Sequence, residues 1–286
     1  MTTAPTPSLA VHLIQCDTVW EDKAATFAHV DTLVNAAGVG QAGLIVLPEM
    51  FDTGFSFNIE RTADTDGTTL RYLVALARRT GCWVHGARTV LNPTSPSPRG
   101  LNRTTVVGPD GTVQCEYDKV HPFSYGRESE FFDPGRQIKL YKVPFGGDGS
   151  QNSGNPLIVG PAICYDLRFP ELFRAGAARG AELFIVPANW PAVRQMHRLT
   201  LARARAIENQ AAVICLNRSG RDPTLVYNGG SVAYDAKGEL LGELGEAAGV
   251  LTVQIDPMAI RKWRADFPAL RDRQADLYAQ WTTEQA

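Results

Sequence analysis

The sequence predicts an α/β fold, specifically a four-layer α-β-β-α sandwich, from three observations. Short continuous apolar runs, typical of buried strands, alternate with segments whose apolar residues recur every three or four positions, as in amphipathic helices. The resulting β-α-β-α-β-β order occurs twice, before and after a Gly/Pro/Asn-rich stretch at 146–156. Two such runs imply two sheets with helices on their outer faces; one doubly wound sheet is the alternative. No linker long enough to separate domains is present, so residues 1–286 are expected to form one domain.

The first run is read from its apolar spacing and its turn residues. Its elements are, in chain order, a strand at 8–16, a helix marked by Phe27, Val30, Val34 and Ala37, a strand at 44–50, a helix marked by Leu70, Leu73, Val74 and Ala77 that stops at Gly81, a strand at 82–89, and a hairpin from 103–107 through the turn at 109–111 to 112–117.

The second run follows the same criteria. Its elements are a strand at 157–164, a helix at 170–180, a strand at 183–188, a helix at 194–210, a strand at 211–217, a hairpin at 231–244 and a strand at 250–256. The segment from about 258 is expected to form a helix and a tail. Within 203–210, the charged residues suggest a solvated helix face, whereas the small alanines would suit close helix packing in a dimer.

Composition argues against several classes of protein. The net charge of −2 does not favour nucleic acid or an anionic membrane as a partner. The apolar runs are far shorter than the roughly 20 residues that span a bilayer, and the N-terminal segment lacks the features of a signal peptide. The five cysteines show no CxxC, and the five histidines show no metal-ligand spacing. We therefore expect a cytoplasmic enzyme that needs no metal or other cofactor and acts on a small molecule.

A G-x-G-x-x-G match at 38–43 does not predict a dinucleotide site. Such a site requires the glycines to follow a strand and open a helix, so that helix N-terminal amides face the pyrophosphate. Here the match follows a predicted helix and precedes a predicted strand. It is better explained as a helix stop and a turn.

Three polar residues stand where α/β proteins place functional groups, at or just beyond the carboxyl ends of strands. Glu49 and Cys164 close the strands at 44–50 and 157–164, and Lys119 follows the hairpin strand. A thiol needs a base for activation, a partly buried glutamate can be that base, and an ammonium can stabilise an oxyanion. The three residues suffice for acyl transfer from an amide. Taken singly, each has an ordinary structural explanation, and His121 is an alternative base for a cysteine nucleophile.

Three segments resemble the motifs of the nitrilase superfamily of carbon–nitrogen hydrolases: 47–51 (LPEMF), 117–123 (YDKVHPF) and 163–171 (ICYDLRFPE). The resemblance covers nearly the whole chain and implies a catalytic triad of Glu49, Lys119 and Cys164. It also implies the α-β-β-α sandwich, usually dimerised through outer helices, so we expect a homodimer or a higher homo-oligomer. A second acid often assists in this family, and here Glu128 matches it; a salt bridge from Glu128 to Lys119 would serve the same positioning role.

Within the superfamily, the segments 49–56, 164–174, 189–191 and 203–210 are most similar to the omega-amidase branch, which hydrolyses the terminal amide of 2-oxoglutaramate and 2-oxosuccinamate. The alternative is another small amide, an N-carbamoyl compound or a nitrile. Outside enzymes, the alternative is a non-catalytic sandwich that acts as a dimeric interaction scaffold. Two features depart from the usual pattern: Pro122 replaces a leucine, and the segments 92–100 and 145–156 are long.

Further site residues follow from the expected chemistry. The backbone N–H of Tyr165, together with Lys119, is predicted to hold the oxyanion. A carboxylate on the substrate needs a cation, for which Arg194 is the candidate. The remaining predictions are grouped by role: Asn189 and Trp190 as substrate-binding residues, Phe51, Phe57, Phe131 and Trp190 as pocket walls or ordinary core, and Arg168 with Glu171 as a structural ion pair. For Arg168 and Glu171, contact with the substrate is the alternative.

Overall fold

A computed structural model describes residues 7–40, 42–146 and 155–283. The described residues form fourteen strands: β1 (Leu9–Gln15), β2 (Leu44–Val46), β3 (Trp83–Leu91), β4 (Gly100–Val107), β5 (Val113–Asp118), β6 (Tyr141–Val143), β7 (Leu157–Pro161), β8 (Leu183–Ala188), β9 (Ala212–Asn217), β10 (Ser219–Arg221), β11 (Val226–Asn228), β12 (Val232–Tyr234), β13 (Leu240–Glu243) and β14 (Gly249–Ile255). They also form eight α-helices: α1 (Lys23–Ala36), α2 (Ile59–Thr62), α3 (Thr68–Thr80), α4 (Glu128–Phe131), α5 (Pro170–Ala178), α6 (Gln195–Asn209), α7 (Pro257–Asp266) and α8 (Ala275–Thr283).

Twelve of these strands build two six-stranded sheets of the same plan. The first has the order β14-β1-β2-β3-β4-β5 and the second the order β13-β12-β9-β8-β7-β6. In each sheet three central strands run parallel, β1-β2-β3 and β7-β8-β9, and the outer strands are antiparallel to their neighbours. The repeated element order of the sequence is therefore confirmed, and the doubly wound single sheet is excluded. β14, which comes last in the chain, completes the first sheet by pairing antiparallel with β1.

The hydrophobic core lies in three separate layers. Between the sheets, Val11 and Leu13 of β1 belong to the same buried cluster as Ile185 of β8 and Ile214 of β9. On the outer faces, α1 and α3 cover the first sheet, and α5 and α6 cover the second. Each fully buried Leu, Ile or Val contributes roughly 1.5–3 kcal/mol relative to an exposed one. The predicted four-layer α-β-β-α sandwich is confirmed.

The helix ends follow from local chemistry. The side chain of Asp22 accepts a hydrogen bond from the Ala25 N–H at 3.0 Å and so begins α1. Gly81 ends α3 at φ +67°, a conformation that costs glycine little, as its position in the sequence predicts. Asp256 caps α7, which opens on Pro257; the C-terminal segment is helical, as expected from its sequence.

Two strands end earlier than the sequence predicts. β2 stops at Val46 and β7 at Pro161, because the residues that follow leave the extended conformation. Met50 has φ +41° and Cys164 has φ +45°, left-handed values that no strand tolerates. The chain therefore turns over the edge of each sheet instead of continuing the ladder. Glu49 and Cys164 stand on these turns.

Two segments singled out in the sequence are only partly described. The glycine-rich match at 38–43 lies between α1 and β2, as predicted, with Gln41 outside the described residues. Of the long segment at 145–156, residues 147–154 lie outside them. The segment 92–100 is described and links β3 to β4.

Candidate active site

Glu49, Lys119 and Cys164 meet at one edge of the sandwich, beyond the ends of β2, β5 and β7. The Lys119 Nζ donates a hydrogen bond to Glu49 Oε1 at 2.8 Å, and the same carboxylate lies close enough to the Cys164 thiol to raise its pKa. The first two side chains have no more than 1% of their surface exposed, whereas Cys164 keeps 9%. The structure therefore brings together the three residues that the sequence motifs select.

Glu128 lies on the other side of the ammonium. Its Oε2 accepts a hydrogen bond from Lys119 Nζ at 2.8 Å and another from the backbone N–H of Phe123. The side chain is completely buried at the start of α4. Lys119 is thus held between two carboxylates, which fixes its position. This is the salt bridge between Glu128 and Lys119 that the sequence suggests.

Asn102 of β4 joins the two carboxylates and was missed by the sequence analysis. Its Nδ2 donates to Glu49 Oε1 at 2.8 Å and to Glu128 Oε1 at 2.9 Å. A buried amide needs such partners, because an unsatisfied polar group costs about 1–3 kcal/mol. The burial of Asn102 would have been the signal, but burial depends on the fold and cannot be read from its position in a strand.

Asn189, predicted to bind substrate, is bonded to Glu49. The Asn189 backbone N–H donates to Glu49 Oε2 at 2.8 Å, and its side-chain Nδ2 donates to the Glu49 carbonyl at 2.7 Å. The residue also lines the cleft above Cys164. Its contacts show that it orients the carboxylate beside the thiol.

The turn that carries Cys164 is a short 3-10 helix over Cys164–Arg168. Arg205, from the segment 203–210 of α6, donates to the Leu167 carbonyl of this turn at 2.8 Å. It is buried, so this arginine belongs neither to a solvated face nor to a dimer contact. Among the described residues, the backbone N–H of Tyr165 has no hydrogen-bond acceptor, and it is free to bind an oxyanion.

The electrostatics of the site keep the sulfur protonated and the amine charged. Burial and the nearby Glu49 carboxylate raise the pKa of the Cys164 thiol well above its usual value, while Lys119 opposes the shift. Burial disfavours the ammonium of Lys119, but Glu128 and Glu49 outweigh it and raise the pKa of Lys119. Burial also raises the pKa of the Glu128 carboxyl, against the effect of Lys119. Attack by the sulfur therefore requires a base that takes its proton.

A small cleft opens above the sulfur. Its walls are mainly aromatic, from Phe55, Phe123, Tyr165, Trp190 and Tyr227. Such walls exclude water and strengthen the electrostatic interactions within. A larger groove lies between the β12–β13 hairpin, β14 and α7, but no cysteine lines it. The cleft is thus the candidate site, and Trp190 lies in it as predicted.

Two guanidinium groups line the cleft. Arg194 lies with its guanidinium 5.5 Å from the centre of the Phe123 ring. The guanidinium of Arg168 lies 4.9 Å from the Trp190 ring centre, so the predicted ion pair with Glu171 is wrong. The aromatic face attracts this cation, while Glu171 is exposed on α5. Neither arginine forms a salt bridge with any described residue.

The prediction that Phe51 contacts substrate is corrected by the structure. This ring is fully buried under α1 and α3, with its centre 5.9 Å from that of Phe27 and 6.0 Å from that of Tyr72. Phe55, four positions later, lines the cleft, and its ring centre is 5.5 Å from the Lys119 ammonium. The turn that lies between them, closed by the Gly54 N–H on the Met50 carbonyl at 2.8 Å, sends the two rings in different directions.

Phe57 and Phe131, the other two predicted walls, stack on each other with ring centres 4.9 Å apart. They pack against a small cluster that includes Met50 and Phe132, and they do not line the cleft. Both rings therefore support the turn that carries Glu49 instead of facing a substrate.

His121 faces Asp166 and not the sulfur. Its Nδ1 lies 2.8 Å from Asp166 Oδ1, and its ring stacks on Phe169 with centres 3.7 Å apart. The carboxylate that raises the pKa of the Cys164 thiol, and so lies near its sulfur, is that of Glu49. The geometry thus favours Glu49 over His121 as the base.

Within the described part of the chain, no group of three or more His, Cys, Asp or Glu side chains could hold a metal ion. None of the helices formed by those residues is long and apolar enough to cross a membrane.

Comparison with known proteins identifies the family. The family model for carbon–nitrogen hydrolases matches residues 10–265. This chain belongs to the carbon–nitrogen hydrolase family. It is thus a hydrolase that acts on carbon–nitrogen bonds, of the amidase type, and its fold is that of the nitrilase superfamily.

Individual relatives of this hydrolase agree with that assignment. An omega-amidase YafV from Yersinia enterocolitica is 35% identical over 268 residues, which cover 93% of this chain and 96% of the relative. A 2-oxoglutaramate amidase from Paenarthrobacter nicotinovorans is 34% identical over 248 residues, or 85% of this chain and 82% of the relative. The crystal structure of a CN-hydrolase superfamily protein from Xanthomonas campestris, with an arsenic adduct in its active site, superimposes with a TM-score of 0.83 at 33% identity, covering 93% and 97% of the two chains.

Proposed function

We propose that this hydrolase cleaves the terminal amide of a small 2-oxo dicarboxylic acid monoamide, such as 2-oxoglutaramate or 2-oxosuccinamate, to ammonia and the free acid. The observation that carries the proposal is the pair of guanidinium groups, Arg168 and Arg194, in the cleft above Cys164. A substrate with a carboxylate at the end opposite the amide would offer these cations the anion that they lack among the described residues. The names of the two relatives, an omega-amidase and a 2-oxoglutaramate amidase, support the same substrate class.

The first half of the reaction forms a thioester. Glu49 takes the proton of the Cys164 thiol as the sulfur attacks the amide carbon, and the carbonyl oxygen becomes an oxyanion. The Lys119 ammonium and the backbone N–H of Tyr165 stabilise that oxyanion, an effect typically worth about 3–4 kcal/mol for one donor. When the oxyanion collapses, the carbon–nitrogen bond breaks, and Glu49 gives its proton to the departing ammonia.

The second half regenerates the thiol. Glu49, again ionised, takes a proton from a water molecule that attacks the thioester carbon. The second tetrahedral oxyanion meets the same two donors, and its collapse breaks the carbon–sulfur bond. The proton on Glu49 then returns to the sulfur of Cys164. No group beyond these side chains, the backbone and water is required for either step.

Other substrates of the same superfamily remain the competing proposal, because the triad would serve an amide, an N-carbamoyl compound or a nitrile equally. The deciding experiment measures ammonia release from 2-oxoglutaramate, 2-oxosuccinamate, succinamate, an N-carbamoyl amino acid and a simple nitrile. Turnover of the 2-oxo amides that vanishes in Cys164→Ala supports the proposal. If only another compound is hydrolysed, the substrate belongs to the class of that compound. If turnover persists in Cys164→Ala, the mechanism is contradicted.

The role of the two arginines has its own test. Arg194→Met and Arg168→Met keep an unbranched side chain but remove the charge. We expect each to raise KM for 2-oxoglutaramate about 10- to 100-fold, since a charged hydrogen bond contributes about 1.5–3 kcal/mol. A neutral amide of similar length, such as butyramide, is the control substrate and should show little change. Equal loss on both substrates would mean that the arginines do not recognise a carboxylate.

We also propose that the protein forms a homodimer or a higher homo-oligomer. Exposed apolar side chains on and just before α6, with Val193 84%, Met196 66% and Ile207 51% exposed, support contact between copies on this face. Sedimentation velocity of the wild type and of a Met196→Glu/Ile207→Glu variant tests it. A wild-type monomer at micromolar concentration would refute the proposal.

A further inference from the structure

The carboxylate of Asp166 lies between the two segments that build the site. It is completely buried and accepts four hydrogen bonds from described residues. Its Oδ2 accepts from the Tyr117 hydroxyl at 2.7 Å and from the Ile163 N–H at 2.9 Å. Its Oδ1 accepts from the His121 backbone N–H at 3.0 Å and contacts the His121 Nδ1 at 2.8 Å.

These donors come from both sides of the reaction centre. Tyr117 precedes Lys119 by two residues and His121 follows it by two, whereas Ile163 directly precedes Cys164. The buried Asp166 carboxylate therefore links residues on both sides of Lys119 to the start of the turn that carries Cys164, called here the nucleophile turn. The segment at 117–121 cannot shift relative to the nucleophile turn without breaking at least one of these bonds.

The same residue also closes the turn itself. The Asp166 backbone N–H donates to the Ile163 carbonyl at 2.9 Å, while its side chain accepts from the Ile163 N–H. This reciprocal pair encloses Cys164, whose φ of +45° is unfavourable for a residue with a Cβ. A strained residue keeps its conformation only when its surroundings hold it, and Asp166 supplies two of the bonds that do so.

We propose that Asp166 is a positioning residue that sets the separation between the Cys164 sulfur and the Lys119 ammonium. It thereby fixes the oxyanion site between Lys119 and the Tyr165 N–H. Asp166 does not line the cleft, so it acts through these groups and not on the substrate. The inference rests on the proposed catalytic roles of Cys164 and Lys119.

The chemistry of the side chain explains why an aspartate suits this place. An ionised carboxylate only accepts and has about four acceptor positions, which matches four donors. An asparagine of the same shape would present one oxygen and an NH₂ group. On either side that NH₂ would face one backbone N–H, of Ile163 or of His121, which can only donate. Asp166→Asn therefore breaks at least one of the four links without changing the volume of the side chain.

A proton relay through His121 is the competing role for this cluster. The two roles differ in what they require of position 121. If Asp166 acts only as a positioning residue, the side chain at position 121 needs only to donate to Asp166 Oδ1. The Nδ2 of an asparagine occupies nearly the place of the His121 Nδ1. In a relay, the side chain must gain and lose a proton, which an amide does not do at neutral pH. His121→Asn and His121→Ala therefore separate them.

The experiment compares kcat and KM for four variants on the amide that the wild type hydrolyses best. We expect Asp166→Asn to lower kcat about 100-fold and to change KM less than about 3-fold, because misplacing a reacting group by about 1 Å costs about that much. Tyr117→Phe and His121→Ala should each lower kcat about 10-fold, since each removes one hydrogen bond. His121→Asn should restore most of the activity that His121→Ala loses.

Glu182→Gln is the matched control. Glu182 is also a buried carboxylate, with bonds from the Ile158 N–H at 3.2 Å and from Arg261 Nε at 2.6 Å, but it lies at the opposite end of β8. We expect this variant to unfold at a lower temperature while its kcat stays at the wild-type value. It thus reports what loss of a buried carboxylate does to stability alone.

The outcomes separate the inference from the function on which it rests. Wild-type activity in Cys164→Ala or Lys119→Ala overturns the proposed function. If those variants are inactive but folded Asp166→Asn keeps its kcat, only the inference is overturned. If Asp166→Asn does not fold, Tyr117→Phe and the two His121 variants test the positioning role. That role is overturned if Tyr117→Phe and His121→Ala keep the wild-type kcat. It is also overturned if His121→Asn and His121→Ala lose equal activity.

Discussion

The two halves of the chain repeat one plan, but the cysteine that follows the first strand of each sheet's parallel core opens onto a cleft only in the second half. Cys16 follows β1 and Cys164 follows β7, and each strand lies between an antiparallel and a parallel neighbour. Cys16 is sealed in the core, where burial raises the pKa of its thiol to about 11, and the hydroxyl oxygen of Thr18 lies 3.9 Å from its sulfur. Cys164 opens onto a cleft and meets the Glu49 carboxylate.

The next pair of strands shows the same contrast. Glu49 follows β2 and Asn189 follows β8, and the two residues are joined by hydrogen bonds of 2.8 and 2.7 Å. The first half thus provides the ionisable group, and the second provides an amide that orients it. Cys16, Cys164, Glu49 and Asn189 all follow the end of a strand. Cys164 differs from Cys16 because it has a carboxylate nearby and opens onto a cleft.

The largest effect should come from replacing Cys164 and Cys16, one at a time, by alanine. Cys164→Ala should lower ammonia release at least about 10³-fold, because no other group can form the thioester. Cys16→Ala should keep the wild-type rate and lose about 1 kcal/mol of unfolding free energy through the cavity that it creates. Urea unfolding and the ammonia assay measure both quantities. A folded Cys16→Ala protein without activity would break the comparison.

A smaller difference is expected between the residues after β2 and β8. Glu49→Gln removes the base and should lower kcat about 10²- to 10⁴-fold. Asn189→Ala keeps its backbone N–H on the carboxylate and loses only the side-chain bond, so about 10-fold is expected. Single-turnover thioester formation measures the step directly. Equal losses would mean that Asn189 does more than orient Glu49.

A third difference, expected in stability and not in activity, concerns a carboxylate that only the first half carries. The turn after β2 holds Asp52, which accepts from Thr69 Oγ1 at 2.6 Å, while residues 189–194 after β8 contain no acid. Burial raises the pKa of Asp52 to about 6, although Thr69 and Lys23 oppose the shift. A folded pKa above the unfolded one means that the contribution of Asp52 to stability is greatest below about pH 4 and is lost as the pH rises through about 6.

Asp52→Asn removes that dependence. Relative to wild type, we expect the variant to gain up to about 3 kcal/mol of unfolding free energy at pH 7.5 compared with pH 4. Chemical denaturation at the two pH values measures the difference, in which the titration of all other groups cancels. A difference between the two proteins that does not change with pH would contradict the assignment of the shift to Asp52.

Much of the fold and the centre of the site could be predicted from the chain. The apolar periodicity and the repeated order predicted two sheets, and the motifs selected Glu49, Lys119 and Cys164. The ends of β2 and β7 could not be predicted, because left-handed values at Met50 and Cys164 arise from the packing of the turns. Phe51 and Phe55 look alike in sequence, and only the turn between them decides which one lines the cleft.

By itself, the sequence determined the layered fold, the family and the residue types of the site, since these depend on local periodicity and on short motifs. The tertiary structure alone decided which polar groups meet. It placed Asn102 between two carboxylates, Arg168 over Trp190 and Asp166 between the segments that carry Lys119 and Cys164. These contacts join residues that are distant in the chain, and they form only when strands from both sheets end at the same edge.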